Sequence, residues 1–559
     1  MTPHHQGWGI DLSAARIEAM RIGGAWHDRV LIDFFDRNVA AYPEAAAVVA
    51  LSGDNGDISR LSYSQLAVAA DRIALGLYAL GVRKGHIVSF QLNNRWEFLA
   101  IVLACIRIGA ITHPIMPILR HRELIFMLRL TETQVFIVPD RFRGFDFATM
   151  AREVAAEVPT LRHVFAIGGE DDGSFARYFL DRDWETRLDK RTVFASERPG
   201  ANDLMQLIFT SGTTGEPKGV MHTANTMFAN VIPFAERLDL TRDDVGFSPT
   251  PIAHQLGYLF GVLMPLLLGG KVVLQDIWQP AVAAQLIASE GVTYCMGATP
   301  FLNDLAHHDG IERTNTSALR YFISGGAPIP PALARTAKAR IGCGIIPVWG
   351  MTEVSAVTTV RPDDPDEKAF ETDGVAMPHC AVRVVDRTGA EMPRGESGRL
   401  LTRGASQFVG YFKRPELYAV DGEGWFDTGD LARMDVDGYI RITGRAKDII
   451  IRGGENIPVV EIEALLHEHP AVRVVAIVGM PDARLGERAC AYVGLRPGQD
   501  LTLDDMRAFL RTKRVAPSYL PERLVLVDEI PLTPAGKIQK FVLRERARML
   551  APDRDGIVP

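Results

Sequence analysis

The chain has 559 residues, 47% of them hydrophobic and 23% charged, with a formal net charge of −7. That length exceeds one compact core, so two or more domains are expected in an ordinary globular composition. The negative balance excludes a general basic surface for nucleic acid, and short clusters such as Arg141 and Arg143 do not reverse it.

Five cysteines, Cys105, Cys295, Cys343, Cys380 and Cys490, stand far apart with no CxxC pair. They read as reduced thiols of a reducing compartment. The opening "MTPHHQGWGIDLSAARIEAM" lacks a charged-then-apolar signal pattern. The apolar run "LFGVLMPLLLGG" is short and holds Pro265, so no membrane span is expected. These features predict a cytoplasmic protein.

In chain order, residues 62 to 80 predict an amphipathic helix, opened by a Ser62/Gln65 capping box and carried by Leu66, Ala70, Ile73, Leu77 and Leu80. A strand "HIVSFQL" and an apolar helix "WEFLAIVLACIRIGA" follow. The alternation continues through "LMQLIF", "KVVLQ", "VTYCMG", "LRYFISGG" and "GIIPVWG" to about residue 350. That pattern predicts an α/β chain of largely parallel sheets, whose ligands sit at the carboxyl ends of strands. From about 375 to 445, "AVRVVD", "GRLLTRG" and "GYIRITG" read as strands parted by tight turns, among them the Asp437-Gly438 hairpin signal. A small unit follows: helix "VVEIEALLHEH", strands "VRVVAIVGM" and "ERACAYVGL", helix "LDDMRAFLRTK" and strand "RLVLVDEI". The boundary falls near Arg445 to Lys447, and the tail after Leu550 is expected to be disordered.

Five stretches carry chemistry. In "TSGTTGEPKG", Thr210, Ser211, Gly212, Thr213, Thr214, Gly215 and Lys218 form a hydroxyl- and glycine-rich loop able to turn backbone N–H groups and one cation onto a phosphate. It is not a Walker loop, because Pro217 precedes Lys218. In "VWGMTE", Thr352 can donate to a phosphate oxygen, Glu353 is a hard oxygen ligand and Trp349 offers a flat face for a base. Taken alone, a core tryptophan and a solvated glutamate would explain that stretch. In "GWFDTGDLAR", Asp430 is an acceptor-only group suited to a ribose diol, or else a turn aspartate. "GRAKDIIIRGGENIPVVEIE" supplies Arg445 and the bare backbone of Gly453-Gly454, or else a plain turn before a helix. "PLTPAGKIQK" presents Lys537 on a stiffened loop, or else an ordinary surface lysine.

Together, in order and at ordinary spacing from Thr210 to Lys540, the five stretches resemble the adenylate-forming superfamily of acyl-CoA synthetases, luciferases and peptide-synthetase adenylation domains. A looser likeness, "GAITHPIMPILRHREL", extends toward the N-terminus. The resemblance implies an α/β fold with a large N-terminal domain, residues 1–444, of doubly wound sheets plus a β-rich subdomain. A small mobile α+β C-terminal domain, residues 445–559, would swing about a hinge at Lys447. It implies ATP, magnesium and CoA. A carboxylate would attack the α-phosphate of ATP, and a thiol would then take the acyl group.

By the same resemblance, the Thr210–Lys218 loop, Thr352 and Lys537 serve the phosphates, and Glu353 with Thr214 holds magnesium. Asp430 and Arg445 hold the ribose. Gly325, Gly326 and Ala327 line the adenine site beside Trp349, Gly350 and Met351. Arg452, Gly453 and Gly454 border the pantetheine. His254 resembles the gate residue of aryl- and acyl-CoA ligases, with a pocket-wall histidine as the alternative.

His254 and Gln255 stand where amino-acid-activating domains carry an aspartate, so an α-amino acid is disfavoured. Gly350, where acetyl-CoA synthetases carry tryptophan, is expected to leave room for a larger acid. Ile252, Leu256, Leu259, Phe260 and Val348 suit an aliphatic chain or ring. A medium-chain, alicyclic or aromatic acid–CoA ligase is the leading reading. A carrier-loading enzyme of the same fold and a non-catalytic nucleotide-binding protein are the alternatives. A homodimer and a lysine acetyltransferase acting on Lys537 are further candidate partners.

Overall fold

The computed structural model describes residues 7–210, 217–452, 455–482, 484–533 and 537–550. Two largely parallel sheets form the body of the large domain. The first has nine strands, in the order Val375–Ala376, Ser355–Thr359, Gly344–Met351, Tyr321–Gly325, Tyr294–Gly297, Val245–Ser248, Lys271–Gln275, Ala46–Leu51 and Ile58–Ser62. Its six inner strands run parallel, and the edges are antiparallel. The second has six, in the order Lys218–Thr223, Leu204–Thr210, Ile111–Ile115, Ile87–Gln91, Val135–Pro139 and His163–Ile167. All are parallel except the outer Lys218–Thr223 strand.

Between them lie the helices Tyr63–Ala79 and Trp96–Arg107. Every residue of the latter from Glu97 to Ile106 is buried, as a helix apolar on all sides beyond its first turn must be, and Glu97 is paired with Arg95. One core cluster draws Val48, Leu274 and Ile346 from the first sheet and Val88, Ile137 and Met205 from the second. The predicted capping box opens the Tyr63–Ala79 helix. Ser62 Oγ accepts from the Gln65 N–H at 3.3 Å, and Gln65 Oε1 from the Ser62 N–H at 2.9 Å. Such caps contribute about 1 kcal/mol. The run through Pro265 is helical from Gln255 to Leu268, with a widened turn at Leu259–Leu263 just ahead of the proline, which cannot donate to the ladder. No described helix is long and apolar enough to cross a membrane.

A four-stranded antiparallel sheet follows: Cys380–Val385, Ser397–Gly404, Phe426–Met434 and Ile440–Arg445. Gly438, at φ +86°, turns the hairpin between its last two strands. The Phe426–Met434 strand contains the whole "FDTGD" stretch, so Asp430 is a strand residue and not a turn aspartate. The small domain pairs Glu455–Ile457, Ile450–Arg452, Gly486–Leu495 and Val472–Asp482, with Arg523–Leu526 parallel to Gly486–Leu495. Helices Val459–Leu466 and Leu503–Thr512 match their predicted positions. The final strand is shorter than "RLVLVDEI" predicts. A helix, Lys540–Arg548, was not predicted: it buries only Leu543 and Ala547, four residues apart, beneath a charged surface. The expected disorder after Leu550 lies outside the described residues.

The six-stranded sheet keeps two fully buried histidines. His113 Nδ1 lies 2.7 Å from Ser89 Oγ, which lies 2.6 Å from Thr133 Oγ1. Burial pushes His113 down to about 3 and His222 down to about 4. Both folded-state values lie below the unfolded value near 6.5. Their neutral burial therefore stabilises fully above that pH and is lost as pH falls toward the folded values. The thermal midpoint should hold from pH 8 to about 6.5 and then fall steadily toward pH 4.5, each histidine contributing about 1.4 kcal/mol per pH unit. Scanning calorimetry across that range checks it. A flat midpoint, or an unchanged slope in His113→Asn, contradicts the assignment.

Candidate active site

The carboxyl ends of parallel strands carry most of the chemistry-bearing residues. Strand Leu204–Thr210 ends at Thr210, which pairs with Lys218 across the outer hairpin. Strand Tyr321–Gly325 runs into Gly326 and Ala327, and strand Gly344–Met351 into Thr352 and Glu353. Ser211, Gly212, Thr213, Thr214 and Gly215 of the phosphate loop, and Gly453 and Gly454, lie outside the described residues.

Glu353 is 6% exposed, so it is not a solvated glutamate. Its Oε1 accepts from the Tyr411 hydroxyl at 2.8 Å. Burial first, and the Glu353 charge second, push the Tyr411 phenol far above its ordinary range, so it stays a donor. Lys218 Nζ lies 5.2 Å from the centre of the same ring. Tyr411 thus joins the lysine that leaves the phosphate loop to the carboxylate of the next strand.

Thr352 is held through its carbonyl, which accepts from His222 Nε2 at 2.8 Å, while His222 Nδ1 faces Thr226 Oγ1 at 3.1 Å. The carbonyl bond fixes the tautomer with hydrogen on Nε2. Neither His222 nor Tyr411 was predicted from sequence. Each acts across a long separation, and the only local signal is that His222 shares a strand with Lys218.

Trp349 is 8% exposed and packs against Ile208, Val220, Val354, Phe408 and Tyr411. Most of its ring is core, and its indole N–H donates to Asp430 Oδ2 at 2.9 Å. Asp430 Oδ1 meets Arg445 Nε at 3.0 Å, the two residues being register partners on adjacent strands. Asp430 is 5% exposed, yet each oxygen keeps a lone pair for a hydroxyl donor.

Lys537 comes from the small domain and is half-buried here. Its pKa lies below the ordinary lysine range, first because of burial and then because of Arg445, while Asp430 and Glu353 pull it back up. Its Cε lies 3.4 Å from where a Cβ at Gly326 would stand. Gly326 has φ +89°, so the backbone conformation is what calls for glycine, while the Lys537 side chain lies in ordinary van der Waals reach. Gly325 is closed in as well, since a Cβ there would lie 2.7 Å from the Val348 carbonyl. The Ala327 carbonyl accepts from Thr299 Oγ1 at 3.0 Å.

His254 begins the Gln255–Tyr258 helix, and its Nδ1 accepts from the Leu256 N–H at 3.4 Å. Burial, then the Lys537 charge, push it down to about 3, so it faces the site as a neutral imidazole. Ile252, Leu259, Phe260 and Val348 beside it are buried. Arg452 pairs within the small domain, where Nε and Nη2 meet Glu522 at 3.1 and 2.9 Å. Lys447 lies in the short turn Ala446–Asp448, which Arg544 Nη1 ties at Asp448 Oδ1, 2.5 Å away.

Gly350 departs from expectation. A Cβ there would lie 1.9 Å from the Ser355 carbonyl oxygen, on the antiparallel neighbour strand and beside a register shift. The glycine is required by backbone approach, so it is not simply a vacancy left for a larger acid. Met351, the next residue, is half-buried at the strand end.

A model of the AMP-binding enzyme family matches residues 35–412, and one of the AMP-binding enzyme C-terminal domain matches residues 461–537. The medium-chain fatty-acid–CoA ligase of Escherichia coli (strain K12) is 39% identical over 539 residues, covering 96% of this chain and 94% of that protein. A salicylyl-CoA synthase / salicylate adenylyltransferase of a Streptomyces species is 36% identical, covering 94% and 95%. Among solved structures, the anthranilate CoA ligase AuaEII in complex with anthranoyl-AMP matches with a TM-score of 0.84 at 25% identity, covering 94% of this chain and 98% of that one. The chain belongs to the AMP-binding enzyme family, within the adenylate-forming superfamily, and is an AMP-forming acid–thiol ligase.

Proposed function

We propose that the protein activates an apolar medium-chain, alicyclic or aromatic carboxylic acid with ATP and transfers the acyl group to CoA. The observation that carries this reading is the Lys537 ammonium, buried beside Glu353, Asp430 and Arg445 at the strand ends. Relatives named for medium-chain fatty-acid–CoA and salicylyl-CoA formation support the substrate class.

In the first half-reaction a carboxylate oxygen of the acid bonds to the α-phosphorus, and the bond from that phosphorus to pyrophosphate breaks. Both reactants are anions, so Lys537 and Lys218 lower the repulsion between them as the new bond forms. Thr210, Thr352 and the loop residues Ser211 to Gly215 donate to phosphate oxygens. Asp430 accepts from the ribose hydroxyls, with Arg445 and Trp349 fixing its carboxylate. Gly325, Gly326 and Ala327, with Trp349, Gly350 and Met351, border the adenine. Neutral His254 keeps the acid's end of the site uncharged.

The residues fit a magnesium ion delivered with the nucleotide. Glu353 is a buried, ionisable hard-oxygen donor with one oxygen committed to Tyr411, and Thr214 supplies a second oxygen. No cluster of three or more His, Cys, Asp or Glu ligands occurs among the described residues, which suits an ion bound largely through phosphate. Such an ion neutralises phosphate charge.

In the second half-reaction the CoA thiolate bonds to the acyl carbon, and the bond to the AMP oxygen breaks. We assign residues 1–444 and 445–559 to the two domains and the hinge to Lys447. Rotation there withdraws Lys537 and brings Arg452, Gly453 and Gly454 toward the pantetheine. Acetylation of Lys537 would remove its cation and so act on the first half-reaction alone.

Lys537→Ala should lower acid-dependent pyrophosphate release by roughly 100- to 1,000-fold, while thioester formation from supplied acyl-AMP persists. An equal fall in both halves would refute the two-arrangement reading. Gly350→Ala should lower the thermal midpoint and depress turnover of every acid alike, because its Cβ meets Ser355 backbone first. Unchanged stability with a selective loss of the longer acids would instead make position 350 a pocket wall.

A further inference from the structure

A line of buried polar side chains leaves the site at Thr352 and returns to it at His254. Thr352 is bonded by His222. His222 is the register partner of Gln206 on the neighbouring strand, and Gln206 that of Thr112 on the next. Register partners share a face of the sheet, so the three side chains stand in a row. Thr112 Oγ1 donates to the Met205 carbonyl at 2.9 Å and lies 3.0 Å from the Tyr258 hydroxyl. Gln255, three residues before Tyr258, lies on the same side of its helix and directly follows His254.

Every group along this line is bonded except two. Gln206 is 0% and Gln255 3% exposed, and neither amide oxygen nor amide nitrogen of either has a partner among the described residues. Native interiors rarely leave buried amides unmet. Four such atoms along one line that ends at His254 are out of place in an interior built only for hydrocarbon.

We infer that Gln206 and Gln255 bind an uncharged polar group, a hydroxyl or a carbonyl, carried by the acid substrate away from its reacting carboxylate. This rests on the ligase reading above and narrows it. A side-chain amide offers a donor and an acceptor together, which a hydroxyl matches in both directions. An ammonium does not fit: His222 and His254 are neutral, and the charges that reach the two ends of the line, Arg16 at His222 and Lys537 at His254, are themselves cations, so a further cation would be buried unpaired. The preferred acid therefore has an apolar body and one polar substituent.

The test compares matched acids on the full-length enzyme: hexanoate with 6-hydroxyhexanoate, cyclohexanecarboxylate with 4-hydroxycyclohexanecarboxylate, and benzoate with salicylate and 4-hydroxybenzoate. The readouts are kcat/KM for acyl-CoA formation and for pyrophosphate release. In at least one framework the hydroxylated acid should be preferred by about tenfold or more. Gln206→Met and Gln255→Met, which remove the amide at similar volume, should bring that ratio toward one. Calorimetry verifies that the variants fold. Preference for the plain acid in every pair overturns the inference whether or not the variants fold. So does a hydroxyl preference that both folded variants retain. In either case turnover itself leaves the ligase reading standing, whereas no pyrophosphate from any acid overturns both.

Discussion

Lys537 carries a positive charge partly out of water and into the field of a second cation, Arg445, and of two carboxylates, Asp430 and Glu353. Four formal charges cancel, but the ammonium is held below its ordinary pKa, so the two carboxylates do not fully replace the water it gave up. A polyphosphate does. Binding of the nucleotide and burial of Lys537 are therefore linked: each makes the other more favourable. On the proposed function, loss of pyrophosphate would remove most of the negative charge that Lys537 meets and so weaken its hold on the large domain before a thiol enters. In that reading the electrostatics that lower the barrier to adenylation would also favour a change of domain arrangement afterwards.

Such a charge is useful only if its surroundings hold still. Three candidate site groups of the large domain are each anchored by a residue from a different segment: Glu353 by Tyr411, the Thr352 backbone by His222, and Asp430 by Trp349. These anchors lie in the cores between sheets, where rotamers are set by packing. The antiparallel sheet enters the site through Asp430 and Arg445, and the nine-stranded sheet through Trp349 and Glu353. The indole–carboxylate bond is a direct joint between the two. The large-domain part of the site is thus as rigid as the contacts between sheets, whereas Lys537 belongs to the small domain.

Much of this was legible in the chain. Alternating apolar strands and helices predicted parallel sheets, the Ser62–Gln65 box predicted a helix start, and Asp437-Gly438 predicted a hairpin, because each depends on neighbours within a few residues. The candidate site residues could be picked out in the chain because glycine, hydroxyl and charge recur in short runs. What remained hidden depends on distant partners. Tyr411 and His222 carry no local pattern, and the indole of Trp349 reads as a base-stacking face until its bond to Asp430 is seen. Gly350 reads as space until the Ser355 carbonyl is found against it. The Lys540–Arg548 helix is charged at five of its nine positions and buries only Leu543 and Ala547.

Selectivity at the acid end follows from comparing magnitudes. One methylene buried in an apolar pocket is worth about 0.8 kcal/mol, so chain length alone separates homologous acids weakly. An ionised group buried without a partner costs several kcal/mol. With His254 neutral and Ile252, Leu259 and Phe260 buried, the pocket of the proposed function would reject amino acids far more strongly than it ranks monocarboxylates by length. The carboxylate that reacts escapes this penalty because it lies toward Lys537. One charge is therefore admitted, at one end, and the rest of the acid must enter without another.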